Sequence, residues 1–345
     1  MKKYNISTNL IQVINNLCNK ATSAVLFNSS IADWFRTTAG VRQGSLLSPT
    51  LFNIFLERII TDVLEDHEGT VSIGGRTISN PCFADDIDGL AGEEELANLV
   101  ERLDKTSTTY GMEISAEKTK LMTNDTSGIN TEIKVNGQRL ETVTSFKYLG
   151  SFITHEGSQL EILSRTAQTS AALTRLKPFW NDRSISLSSK IRLTLSLVTS
   201  IFLHACESWT LTAELQRRIQ AMEMRCYHNI LHISYKDHVT NEEVRAKIQL
   251  AIGPHEDLLT IVKRRKLQWY GHVSRLSGLA KTILQGTVKE GRRQGRQRKR
   301  WEDNTRELIG LKFGKSQRAV ENREKWRKLV AKSSTVPQRP SPLRN

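Results

Sequence analysis

The apolar periodicity of this chain changes once, near Gly157, and that change limits the fold more than any other feature. Before it, short apolar runs are separated by turn-forming pairs. After it the strand signals stop, and residues 159–177, 187–206, 212–231 and 240–250 carry apolar positions at helical spacing. An α+β fold follows, with a mixed first half and an all-helical second half.

The first half is punctuated by local signals. Ile6, Leu10, Ile14, Leu17 and Cys18 fall on one face of a helix over 6–18. Ser23–Phe27 and Ile31–Thr37 read as strands around Asn28-Ser29-Ser30. Ser48 is placed to cap a helix, with Pro49 at its first position and Leu51, Phe52, Phe55, Leu56 and Ile59 as its apolar stripe. Gly74-Gly75 and Asn136-Gly137 each join two short strands, the second by a turn that matches strand twist. Between them Leu96, Leu99, Val100 and Leu103 mark a helix over 93–110, and Gly111 suits its left-handed end. Thr240 and Glu243 form a capping box.

Charge is segregated. The net charge of +14 is the sum of +18 in residues 263–345 and −4 in the other 262 residues. Lys289 to Arg300 holds seven Lys/Arg in twelve residues: Lys289, Arg292, Arg293, Arg296, Arg298, Lys299 and Arg300. Upstream, Lys263, Arg264, Arg265 and Lys266 adjoin Trp269-Tyr270. Cations release counterions from phosphates, and aromatic rings stack on unpaired bases. Nucleic-acid binding is the preferred reading. A nuclear-localisation signal and a solvated tail are alternatives, and Leu267, Trp269, Tyr270 and Val273 also fit the core face of a helix. The last residues, 331–345, are expected to be disordered.

No run of 18 apolar residues supports a membrane span. The four cysteines form no CxxC pair, which argues against a disulfide framework and for a reducing compartment, nucleus or cytoplasm. Cys206, Cys226, His204, His228 and His232 lack the short loop intervals of zinc sites.

The sharpest chemical signal is Phe83-Ala84-Asp85-Asp86 between short apolar runs. At a hairpin turn both carboxylates can approach one site, and such hard oxygen ligands suit Mg²⁺. Asp-Asp is also ordinary turn punctuation.

Four ordered stretches extend that signal. Residues 38–49, TAGVRQGSLLSP, resemble the reverse transcriptase motif that precedes the catalytic hairpin. FADDI resembles the Y/F-x-D-D box. GMEISAEKTKLM, 111–122, and FKYLGSFI, 146–153, resemble the next palm motif and the primer grip. The chain thus resembles the reverse transcriptase of a non-long-terminal-repeat (LINE-type) retrotransposon, firmly over about residues 20–155 and more loosely beyond.

That resemblance implies an RNA-directed DNA polymerase acting on an RNA template, a DNA primer and deoxynucleoside triphosphates, with two Mg²⁺ (Mn²⁺ as an alternative ion). Asp85 and Asp86 would be the metal-binding pair, flanked by Phe83 and Ala84. Gln43 and Gly44 would meet the incoming nucleotide, and Lys118 the leaving pyrophosphate. Tyr148, Leu149 and Gly150 would position the primer end, though Tyr148 and Leu149 also fit strand core. The implied layout is a partial palm with an antiparallel sheet over 1–156, a helical thumb over 157–250 and a basic helical nucleic-acid-binding region over 251–330. The family's third carboxylate comes from a motif upstream of the Gly-Gln-Gly loop. Asp33 is the only acid in residues 1–40, and it sits in the strand leading into that loop. A truncated copy, inactive alone, is expected, with a non-catalytic RNA- or DNA-binding remnant as the alternative.

Overall fold

A computed structural model describes residues 1–37, 40–65, 67, 69, 71–78, 82–123, 132–155, 157–286, 299–311 and 313–335. The chain forms two compact units. One comprises Met1–Ser72, Thr77–Thr119 and Ile129–Leu140; the other comprises Ile73–Arg76, Lys120–Gly128 and Glu141–Asn345.

Fourteen short strands lie among the described residues. They are β1 Thr22–Ser23, β2 Leu26–Phe27, β3 Ser30–Ile31, β4 Phe35–Arg36, β5 Ser72–Ile73, β6 Arg76–Thr77 and β7 Cys82–Phe83; then β8 Asp86–Ile87, β9 Lys120–Leu121, β10 Lys134–Val135, β11 Gln138–Arg139, β12 Glu141–Thr142, β13 Ser145–Tyr148 and β14 Ser151–Thr154. The mixture is α+β, as expected. The expected continuous palm sheet is not present among the described residues. The strands pair two by two, antiparallel except for the parallel pair β9–β12. Hairpins set by adjacent turn residues therefore form, whereas a wider sheet needs non-local pairing.

In the first unit the helices are α1 Thr8–Asn19, α2 Ser48–Leu64 and α3 Glu93–Thr109. Its core is small, with Ile59, Val63 and Leu99 buried and Leu103, Tyr110 and Met112 packed against them. Tyr110 donates to Asp62 at 2.6 Å and stacks edge-on against Phe55, tying α3 to α2. α1 has no fully buried residue: on its apolar face Ile14 is half-buried, while Leu10 is 51% and Leu17 57% exposed.

The second unit carries α4 Gln159–Arg175, α5 Lys177–Asn181, α6 Leu187–Leu193, α7 Thr199–Phe202, α8 Ala213–Leu231, α9 Asn241–Ile252 and α10 Leu258–Arg275; α11 Leu279–Gln285, α12 Trp301–Ile309, α13 Phe313–Glu321 and α14 Arg323–Thr335 follow. The single helix expected over 187–206 is interrupted, a wider π turn at Thr194–Val198 separating α6 from α7. The Thr240–Glu243 capping box starts α9. One core gathers Ile162, Trp180, Phe202, Trp209, Ile219 and Ile248 with Leu258 and Val262 of α10. A second gathers Leu267 and Tyr270 of the same helix with Leu308, Val320 and Trp326. α10 thus contributes side chains to both cores. Residues 331–335, expected to be disordered, complete α14, while 336–345 lie outside the described residues.

Close helix packing at Gly271 gives a first prediction. A Cβ there would lie 2.0 Å from Trp326 Nε1, whose ring is buried and donates to the Leu267 carbonyl. Gly271→Ala should destabilise by about 1–3 kcal/mol, because overpacking exceeds the helix-propensity gain. Gly314→Ala, with nothing within 4 Å of its new Cβ, should be neutral or slightly stabilising. Urea denaturation of both variants checks the pair, and equal effects would refute the packing argument.

Candidate nucleic-acid and polymerase site

The Asp pair sits on the β7–β8 hairpin, whose register pairs Cys82 with Ile87 and Phe83 with Asp86. Ala84 and Asp85 make the turn, and Ala84 adopts φ 54°, a left-handed conformation that costs a residue with a Cβ. The side chains of Asp85 and Asp86 are exposed, and neither carboxylate has a hydrogen-bond or ion-pair partner among the described residues. Phe83 is also exposed, at 61%. The tip therefore presents two unneutralised carboxylates side by side. Among the described residues no group of three or more His, Cys, Asp or Glu could hold a metal ion. The donors suit Mg²⁺ in kind, but two adjacent carboxylates are a pair of ligands and not a complete site.

Gln43 and Gly44 form a tight turn ahead of α2, with Gly44 at φ 81° and open space where a Cβ would stand. The expected Ser48 cap is corrected here. Leu47 occupies the cap position, and no side chain caps the helix. Ser48 is inside the helix, buried, and its hydroxyl donates to the Arg42 carbonyl at 2.6 Å. It fixes the Gln43-Gly44 loop to α2 instead, a role that spacing alone did not reveal. Lys118 lies exposed on a turn after Gly111, its N–H donating to Ser115 Oγ at 3.4 Å. No ion pair joins it to Asp85 or Asp86 among the described residues.

The Tyr148-Leu149-Gly150 segment belongs to the second unit, as the β13–β14 turn, with Leu149 at φ 47° and Gly150 at φ 81°. Leu149 is 45% exposed, so its alternative reading as strand core is not met; two consecutive left-handed residues place it at the tip. Side chains that the sequence reading left unassigned hold this turn. Glu161 accepts from the Phe152 N–H at 2.7 Å and from Arg165 Nε at 2.6 Å, and Arg165 donates onward to the Gly150 carbonyl. His204 Nε2 lies 3.4 Å from the Leu149 carbonyl. Glu161 and Arg165 stand four apart on α4, a spacing that reads equally well as a solvated surface pair.

The basic candidates divide sharply. Lys263 is 4% and Lys266 0% exposed, which withdraws both from any phosphate-contacting surface. Lys266 donates to the Trp209 carbonyl at 2.8 Å and sits 3.9 Å over the Trp301 ring. Burial, then the neighbouring Lys299 charge, pulls its ammonium down to about 6, and burial also lowers Lys263. Arg265 donates to the Leu203 carbonyl, Arg264 pairs with Glu256 at 2.7 Å, and Lys299 pairs with Glu307. Tyr270 is core, and Trp269 packs edge-on against Trp301 while remaining 40% exposed. Arg300 opens α12, its N–H donating to Asp303. Lys289, Arg292, Arg293, Arg296 and Arg298 lie outside the described residues.

Residues 1–153 match the family model of reverse transcriptase (RNA-dependent DNA polymerase). A transposon-derived protein of Caenorhabditis elegans is 27% identical over 283 residues, a match that covers 76% of this chain and 99% of that protein. The first finding likens residues 1–153 to reverse transcriptases, and the second likens most of the chain to a protein derived from a transposon. Reverse transcriptases use divalent metal ions, and the class implies a nucleic-acid template and primer with deoxynucleotide substrates. No helix among the described residues is long and apolar enough to cross a membrane.

Proposed function

We propose that this chain is a copy of a LINE-type RNA-directed DNA polymerase that binds primer and RNA template but does not extend the primer by itself. The observation that carries the polymerase reading is the exposed Asp85-Asp86 pair on a tight hairpin, inside the region matching the reverse transcriptase family. Inactivity is supported by the absence, among the described residues, of any group of three or more His, Cys, Asp or Glu that could hold a metal ion. In-line phosphoryl transfer depends on ions that bridge attacking and leaving oxygens. Groups acting as such a unit lose most of their effect when one member is missing. A two-carboxylate tip then leaves binding as the function of this chain, and the basic residues of 263–345 other than the buried Lys263 and Lys266 supply the charge for it.

Primer extension on a primed RNA template in Mg²⁺, repeated in Mn²⁺, tests the reading. Wild type and Asp85→Asn/Asp86→Asn are both expected to give no template-directed product. Their binding to the same duplex should be equal and should weaken alike as salt rises. Product from wild type that disappears in the variant overturns the inactivity claim and means that another group replaces the absent carboxylate. No binding by either form overturns the nucleic-acid reading itself.

A further inference from the structure

The helical unit contains a cleft of about 870 Å³ between α8 and the start of α9, well away in sequence from the Gln43-Gly44, Asp85-Asp86 and Tyr148-Leu149-Gly150 segments. Its size lies in the range of small-ligand sites. Three arginines line it, Arg217 and Arg225 on α8 and Arg245 on α9. Arg217 has no acidic partner among the described residues. Arg225 donates to Ser170 Oγ at 3.2 Å and has no acidic partner among the described residues. Arg245 reaches the buried Glu223 at 3.6 Å. Glu242 is the one acid in the lining, so the cleft carries a net positive charge.

Two further features narrow the ligand. His228 lines the cleft, its Nε2 buried and without a hydrogen-bond partner among the described residues. Met224 and Ile233 give an apolar floor beside the amide side chains of Gln220 and Asn229. Cations for phosphate, an apolar surface for a ring and amides for base edges make a set suited to a nucleotide unit. A concave cleft of this volume admits a splayed nucleotide, whereas a duplex presents its bases stacked and paired.

From this arrangement we infer that the α8–α9 cleft binds a single-stranded segment of nucleic acid, with Arg217, Arg225 and Arg245 on its phosphates. The inference deepens the nucleic-acid reading above and rests on it. It adds a binding site that neither the Asp85-Asp86 hairpin nor the basic tail provides. The strand is RNA or DNA, which share the phosphodiester chemistry.

The full-length chain and its Arg217→Ala/Arg225→Ala variant, both substitutions at exposed positions, test it by fluorescence anisotropy. The probes are a labelled RNA strand of about twelve nucleotides, the DNA strand of the same sequence, and the corresponding DNA duplex. The variant should bind a single strand about tenfold more weakly. Its log K against log salt slope should fall by about 1.4, near 0.7 for each lost phosphate contact. Duplex affinity should stay nearly unchanged. The strand with the larger loss, RNA or DNA, identifies the source. Equal losses for strand and duplex overturn the inference in favour of general charge attraction, and unchanged strand binding overturns it outright. A strand carrying 4-thiouridine should crosslink to peptides of α8 and α9; crosslinks confined to residues 287–300 count against the cleft. Duplex binding that persists while the strand results fail keeps the broader nucleic-acid reading separate from the fate of the cleft.

Discussion

Glu161→Ala is expected to destabilise the helical unit by about 3–5 kcal/mol, the usual cost of removing one partner from a buried ion pair. The side chains of Glu161 and Arg165 are only 3% and 8% exposed. Without the carboxylate, the guanidinium is left buried and uncompensated, and the Phe152 N–H loses its acceptor. The double variant Glu161→Met/Arg165→Met should recover a large part of the loss, since paired charges can be exchanged for apolar side chains at little cost. Recovery should be incomplete, because the Gly150 carbonyl and Phe152 N–H still lack partners. Urea unfolding of the three forms measures this. Hydrogen exchange should show faster amides at residues 148–152 in the single variant. A loss below about 1 kcal/mol would sink the claim that this pair anchors the turn.

The anchor also connects sequence to function. The β13–β14 turn resembles a primer grip, and such a turn works only if its backbone is held in place. Two left-handed residues at Leu149 and Gly150 define its shape, and α4 fixes it through Glu161 and Arg165. Turn chemistry that is local is readable in the sequence, as at the Gly74-Gly75 turn between β5 and β6. The same holds for Asn136-Gly137, the Thr240–Glu243 capping box and the α3 end at Gly111. Faces were less readable, because burial depends on what packs from elsewhere in the chain. No residue of α1 is fully buried, while α10 is buried around so much of its girth that Lys263 and Lys266 are enclosed with its leucines. A Lys-Arg-Arg-Lys run looks like a solvated surface until its neighbours are known. Ser48 makes the same point on a smaller scale, since its acceptor is a carbonyl six residues back and outside any helix pattern.

Lys266 gives the other large effect. Its ammonium, pulled down to about 6 by burial and by Lys299, contrasts with an ordinary value of 10.5 in the unfolded chain. Between those limits the unfolded state holds a proton that the folded state lacks, so stability should rise with pH across that window. The slope should be on the order of 1 kcal/mol per pH unit. Below about pH 6 both states are protonated, and this contribution levels off at its least favourable value. Lys266→Met removes the titration while keeping most of the stem packing against Trp301. It also leaves the Trp209 carbonyl without its donor, a cost of about 1 kcal/mol. At pH 7 the variant should therefore be more stable than wild type by a few kcal/mol, with its urea midpoint flatter between pH 6.5 and 9. Because this ammonium never meets solvent, the variant should also bind nucleic acid with an unchanged salt slope. A variant less stable at pH 7, or one whose slope with pH matches wild type, would show that Lys266 stays charged in its pocket. The cation over Trp301 would then be a stabilising contact of the folded state.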